Sequence, residues 1–174
     1  RGLRARARGA ALSGDGRTRP VLGLGAGGHG AVVLEILRAV GGWEVVGLLD
    51  PRRELWGTTV LGVPVLGDDD LLPGQYASGV THAFVGLGST SDTGPRRGLY
   101  ERARAAGFTV VTAVHPAATV SPSAVLGPGA TVMAGAVVNA AARVGENVIL
   151  NTGALVEHDC AIGDHAHVAT GARL

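Results

Sequence analysis

The 174-residue chain predicts an α/β domain followed by a parallel β-helix. Two observations carry this prediction. From Val114 onward an aliphatic residue recurs at every sixth position: Val120, Leu126, Val132, Val138, Val144, Leu150, Val156, Ile162, Val168 and Leu174. Four places after each sits a small residue, from Ala118 to Ala172, with only Val148 larger. A six-residue period fits neither a 3.6-residue helix nor an alternating strand. It fits short strands that coil, each rung stacked on the last, with the aliphatic residue inside and the small one easing the turn. Upstream, a short apolar run, a glycine cluster, a helically spaced apolar stretch and a second apolar run closed by Asp50 form a βαβ pattern.

Composition narrows the classes. A net charge of +1 gives no electrostatic case for nucleic acid. One cysteine excludes an intramolecular disulfide and suits a reducing cytoplasm. No apolar run approaches the ~20 residues of a membrane span. Aromatic residues make up only 3% of the chain, as a thin aliphatic core would require. Residues 1–19 carry six arginines and no apolar signal region, and read as a disordered tail. Leu174 opens a new hexad, so the chain reads as cut within its repeat.

Taken in order, Pro20 to Leu24 predict the first strand. Gly25, Gly27 and Gly30 then satisfy G-x-G-x-x-G, with Gly28 and His29 inside the loop. Val32, Val33, Ile36, Leu37 and Val40 predict a helix ended by Gly41 and Gly42, and Val45 to Leu49 predict a strand closed by Asp50. Such glycines let a backbone approach a diphosphate, the helix N-terminus offers N–H groups, and the acid can accept from a ribose or a base. The expected ligand contains a nucleotide; the alternative is a tight turn that binds nothing. A nicotinamide dehydrogenase is disfavoured, because only about 90 residues separate the tail from the coils. Val60 to Leu66 predict an extended segment, and Asp68 to Asp70 a capped helical turn. His82 to Leu87 predict a third core strand whose end presents Gly88, Ser89 and Thr90 as ligand contacts. Residues 95–106 predict a basic helix with a solvated charged face, from which Arg96 or Arg97 could reach a phosphate. Phe108 to Val111 predict the last strand, and His115-Pro116 the crossing into the coils.

One stretch of the coils is densely polar: Asn151, Glu157, His158, Asp159, Asp164, His165 and His167. His158, third in its hexad, is expected to project outward beside Asp159. A histidine with an adjacent carboxylate is the usual apparatus of a general base near neutral pH. Three histidines within ten residues are also a conceivable metal set, across subunits. Cys160 occupies a small inward slot and reads as core.

The loop Gly25-Ala26-Gly27-Gly28-His29-Gly30, the strand ending in Asp50, His115-Pro116, and above all Asn151 to Cys160 resemble the NeuD/PglD group of sugar acetyltransferases. The resemblance spans residues 20–174. It implies a Rossmann-like nucleotide-sugar domain over 20–112 and a left-handed β-helix over 113–174. It also implies a cytoplasmic homotrimer that uses acetyl-CoA without a metal, with active sites between adjacent β-helices. The acceptor it implies is the amino group of a UDP-linked amino sugar, or else a hydroxyl of a sialic-acid-like sugar. Transferred residue by residue, His158 is the base, Asp159 orients it and Asn151 lies beside it. His167 contacts acetyl-CoA, and the glycine loop with Asp50 holds the nucleotide. The chain departs from the pattern at Gly88-Ser89-Thr90, where relatives often have Gly-Asp-Asn, and in lacking the further coils of relatives. A non-catalytic nucleotide-sugar scaffold is the alternative if those coils are absent.

Overall fold

A computed structural model describes residues 18–89 and 91–174. The tail expected over 1–19 therefore lies outside the described residues up to position 17, and so does Thr90. Arg19 already opens the first strand.

The α/β part runs β1 (Arg19–Leu24), α1 (Gly28–Val40), β2 (Trp43–Leu49), β3 (Thr59–Val60), β4 (Val63–Gly67), α2 (Leu72–Ala77), β5 (His82–Val85), α3 (Gly94–Ala105) and β6 (Thr109–Val110). The sheet order is β3-β4-β2-β1-β5-β6, parallel except for the β3–β4 pair. Val60 to Leu66 are thus not one extended segment. The chain reverses at Leu61 and Gly62, both at positive φ, and Val60 pairs with Val63. Asp68 caps the short turn after β4, accepting from the Asp70 N–H at 3.2 Å.

The two faces of the sheet are covered differently. α2 and α3 bury Leu72, Leu99, Tyr100 and Ala103 on one face, against Leu22, Leu24, Leu49 and Val85. α1 buries Val33, Leu34, Ile36 and Leu37 on the other. That second cluster also contains Ala113, Met133 and Ile149 from the coils. α1 is therefore packed between the sheet and the β-helix, and apolar burial joins the two parts.

The coils contain ten two-residue strands: β7 (Ala113–Val114), β8 (Thr119–Val120), β9 (Val125–Leu126), β10 (Thr131–Val132), β11 (Val137–Val138), β12 (Arg143–Val144), β13 (Ile149–Leu150), β14 (Leu155–Val156), β15 (Ala161–Ile162) and β16 (His167–Val168). They stack as three parallel faces, ordered β16-β13-β10-β7, β14-β11-β8 and β15-β12-β9. Partners such as Val132 and Leu150 are eighteen residues apart, so three hexads make one coil. Val132, Val138, Val144, Leu150 and Val156 fill the interior with Ala136, Ala142 and Ala154, and Cys160 packs against them. From Gly129 onward, the fourth residue of each hexad has positive φ. Glycine occupies it at 129, 135, 153 and 171; Ala141, Asn147, Asp159 and His165 occupy the others. A non-glycine residue there costs on the order of 1 kcal/mol, and the backbone ladder sustains it. The Asp159 N–H, for example, donates to Ala140 O at 3.0 Å.

Close stacking also dictates glycine where φ is ordinary. A Cβ on Gly127 would lie 2.5 Å from the Gly145 backbone in the next coil. Gly127→Ala is therefore expected to destabilise the fold by about 1–3 kcal/mol through overpacking. Gly74→Ala, in α2 with nothing within 4 Å of a new Cβ, should be neutral or slightly stabilising. Urea titrations of the two variants check this; equal midpoints would refute the stacking argument.

Candidate active site

The glycine loop divides by function. A Cβ on Gly30 would meet Gly25 O at 2.4 Å, and one on Gly86 would meet the same oxygen at 2.6 Å. Gly25 itself has φ +108. Gly25 and Gly30 are thus required for the loop to pack on the end of β5. Gly27 and Gly28 are different: a Cβ on Gly28 would meet nothing within 4 Å, and one on Gly27 only Arg52, at 3.7 Å. These two face a cavity of about 1110 Å³. α1 begins there with no side-chain cap and no acid in its first turn, leaving N–H groups for an anion.

Asp50 lines this cavity, but its carboxylate is already engaged. Oδ2 accepts from the Ala26 N–H at 2.9 Å and from Arg52 Nη2 at 2.9 Å, and Oδ1 accepts from Arg52 Nε at 2.8 Å. The chelated guanidinium, aided by the Ala26 and Arg52 backbone N–H groups, holds its pKa at about 2 against burial, which raises it. The expected ribose or base acceptor is therefore occupied in locking the glycine loop. The group it presents at the cavity is the half-exposed guanidinium of Arg52.

The opposite wall comes from the coils. Met133, Asn151, Thr152 and His167 line the same cavity as Gly27, Gly28, His29, Gly88 and Ser89. His167 Nδ1 bonds to the carbonyl of Ser89. A carbonyl only accepts, so Nδ1 carries the hydrogen. Nε2 is then an acceptor, taken by Asn151 Nδ2 at 3.1 Å. Burial first, and then Arg96, push the His167 pKa down. Asn151 thus pairs with His167, not with His158 as expected. Both nitrogens of His167 are held inside the chain, where the resemblance makes it an acetyl-CoA contact.

Arg96 corrects the expectation of a solvated face. It is 1% exposed, the largest fully buried side chain among those described. Nη1 lies 3.0 Å from Val85 O, 2.6 Å from Leu87 O and 3.2 Å from His29 Nε2, and Nε donates to Asn147 O at 3.3 Å. Burial lowers its pKa to about 9, which leaves it charged at neutral pH. Its position was readable: Arg96, Leu99, Tyr100 and Ala103 share one helical face. Arg97, Arg102 and Arg104 are the solvated ones. Tyr100 OH, on the buried face, donates to Glu146 at 2.9 Å, so α3 docks on the coil at Glu146 and Asn147.

His158 and Asp159 stand apart from this cavity. Their side chains are 73% and 75% exposed, and neither lines it. His158 Nδ1 lies 2.8 Å from Asp159 Oδ2. An ionised carboxylate only accepts, so Nδ1 carries the hydrogen and the lone pair of Nε2 is presented outward. The hydrogen bond and charge of Asp159, with the charge of Glu157, raise the His158 pKa. Glu157 is itself held: Oε2 accepts from the His158 N–H at 3.1 Å and from Asn139 Nδ2 at 3.0 Å. Asn139 escaped the sequence reading because it lies a full coil earlier, eighteen positions from Glu157.

Comparison with known proteins places the chain. Residues 21–102 match the PglD N-terminal domain. A variant of the GDP-perosamine N-acetyltransferase from Caulobacter crescentus, solved with CoA and GDP-perosamine, is 43% identical. It superposes with a TM-score of 0.81 over 88% of this chain and 70% of that one. The acetyltransferase domain of PglB from Neisseria gonorrhoeae, solved with acetyl coenzyme A, is 40% identical, with a TM-score of 0.78 over 90% and 73% of the two chains. WeeI from Acinetobacter baumannii, 21% identical with a TM-score of 0.74 over 90% and 72%, shares the fold. The chain belongs to the PglD-like family of acetyl-CoA-dependent sugar acetyltransferases, built on a left-handed β-helix. Among the described residues, no helix is long and apolar enough to cross a membrane.

The histidine in the glycine loop has a measurable signature. Burial, then Arg96 and His167, lower the His29 pKa from 6.5 to about 3. Between those values the unfolded chain binds a proton that the folded one refuses, so stability falls as the pH drops below 6.5. Urea titrations at about pH 7.5 and about pH 5.5 should show a loss larger by about 1 kcal/mol in the wild type than in His29→Asn. Equal losses would mean that the folded protein protonates His29.

Proposed function

We propose that the protein N-acetylates an amino sugar carried on a nucleoside diphosphate, with His158 as the general base. The observation that carries the base assignment is the His158–Asp159 hydrogen bond, which leaves Nε2 as an outward-facing lone pair. The nucleotide occupies the cavity at the glycine loop, its diphosphate on the N-terminus of α1 between Gly27 and His29. Arg52, not Asp50, meets the nucleoside end. Support comes from the size and lining of the cavity and from the relatives solved with GDP-perosamine. Both UDP- and GDP-linked amino sugars are substrates to test.

The base and the cavity lie on different parts of one chain. The reading therefore places a second copy beside each β-helix, so that His158 of one faces the sugar held by its neighbour. This is the homotrimer implied by the sequence resemblance. Transfer is direct: the amine nitrogen attacks the thioester carbonyl of acetyl-CoA and its proton passes to His158 Nε2. The C–S bond breaks, and the CoA thiolate can take that proton back. Asp159 keeps Nδ1 protonated and stabilises the imidazolium.

Two outcomes follow. His158→Ala should lose at least about 10²-fold in kcat with UDP- or GDP-linked amino sugars in a thiol-release assay; turnover near the wild-type rate would overturn the assignment. For the wild type, kcat/KM should rise with pH through a value above 6.5, because His158 acts only when neutral. Asp159→Asn removes the largest cause of the raised pKa, so its limb should lie at lower pH with a smaller plateau rate. A limb that does not move would take Asp159 out of this role.

A further inference from the structure

Arg96 is buried and charged; among the described residues it has no carboxylate partner, and one of its groups makes no hydrogen bond. Nη2 is enclosed and makes no hydrogen bond among the described residues, while the two N–H bonds of Nη1 are shared among Val85 O, Leu87 O and His29 Nε2. A buried cation without a counter-ion is costly, and burial gives little reason by itself to keep one. Its placement is informative. It lies behind the wall of the cavity that His29 lines, and it can only donate. A hydrogen on His29 Nε2 would point at the guanidinium, so the lone pair must face it and the ring hydrogen must sit on Nδ1. Among the described residues Nδ1 has no hydrogen-bond partner. Beside His29 the cavity presents two donor groups, the uncapped N-terminus of α1 and the Arg52 guanidinium next to Gly27.

We propose that Arg96 is a positioning residue for the nucleotide site: it holds His29 as the Nδ1–H tautomer, and Nδ1–H donates to the diphosphate of the substrate. The proposal rests on the reading of the cavity as a nucleotide site. The same guanidinium reaches Asn147 O, so the loop that carries the donor is fixed to the coil carrying His167 and Asn151. Lysine could not replace it, since the four acceptors lie around a planar fork.

The test uses the intact protein, with GDP and UDP as probes. Nitrogen-15 NMR of the histidines at about pH 7.5 should find His29 as the Nδ1–H tautomer in the wild type, and Arg96→Met should release it to a mixture. In calorimetry, His29→Gln, whose amide reaches toward the Nε2 position, should weaken diphosphate binding about 10-fold. His29→Asn, whose amide can sit near Nδ1, should stay within about threefold of the wild type. Arg96→Lys should bind as weakly as Arg96→Met. An Nε2–H tautomer in the wild type overturns the proposal, and so does unweakened binding by His29→Gln. These readouts need no folded Arg96 variant. Failure of the wild type to bind either diphosphate overturns the nucleotide-site reading and the proposal with it. Binding by the wild type that His29→Gln leaves unchanged overturns the proposal alone.

Discussion

The site depends on one buried cation. Arg96 leaves α3, passes under the ends of β5 and the glycine loop, and reaches the carbonyl of Asn147 in the coils. Its hydrogen bonds join three segments that meet nowhere in sequence: the loop at His29, the strand end at Val85–Leu87 and the coil at Asn147. Desolvating a guanidinium is expensive unless every contact is ordered, so these contacts must be made together. The apolar packing of α1 against Ala113, Met133 and Ile149 brings the parts together. The polar ties of Arg96 and His167 fix their relative position.

That rigidity explains the shape of the cavity. One wall is a helix N-terminus and a glycine loop, the other a β-helix face carrying Asn151, Thr152 and His167. The cavity thus runs from the loop to the coils. The lock between Asp50, Arg52 and Ala26 adds to this by holding the loop open from the far side. An acid that a βαβ pattern offers to a ribose is here spent on preorganisation, and a cation stands in its place.

His158 obeys a different logic. It sits on a bare corner of the coil, exposed, with only Asp159 and Glu157 to tune it. The left-handed turn at Asp159 sets the geometry. The strained residue puts its carboxylate back toward the preceding imidazole, and that fixes which nitrogen is basic. As the proposed base, His158 still has its desolvation to come, and the proposed reaction therefore sets a neighbouring chain against it.

The fold was legible in the sequence almost entirely, because its signals are local or strictly periodic. The sixfold aliphatic repeat, the βαβ pattern and the Asp68 cap each follow from spacing. His158 with Asp159 was legible for the same reason, since the two are adjacent. The reversal at Leu61–Gly62 was missed although Gly62 marks it, because the β-forming residues on either side, Val60 and Val63, read as one strand. The pairing of Asn151 with His167, the engagement of Asp50 by Arg52 and the burial of Arg96 were decided by tertiary structure. Each depends on which side chain arrives at a given polar atom once distant segments pack. A hydrogen-bonding group has no preference for one partner over another until the fold removes water and leaves a single partner within reach. Periodicity could place Arg96 on the inner face of α3; only the packed structure could supply the four acceptors that make a charge there tolerable.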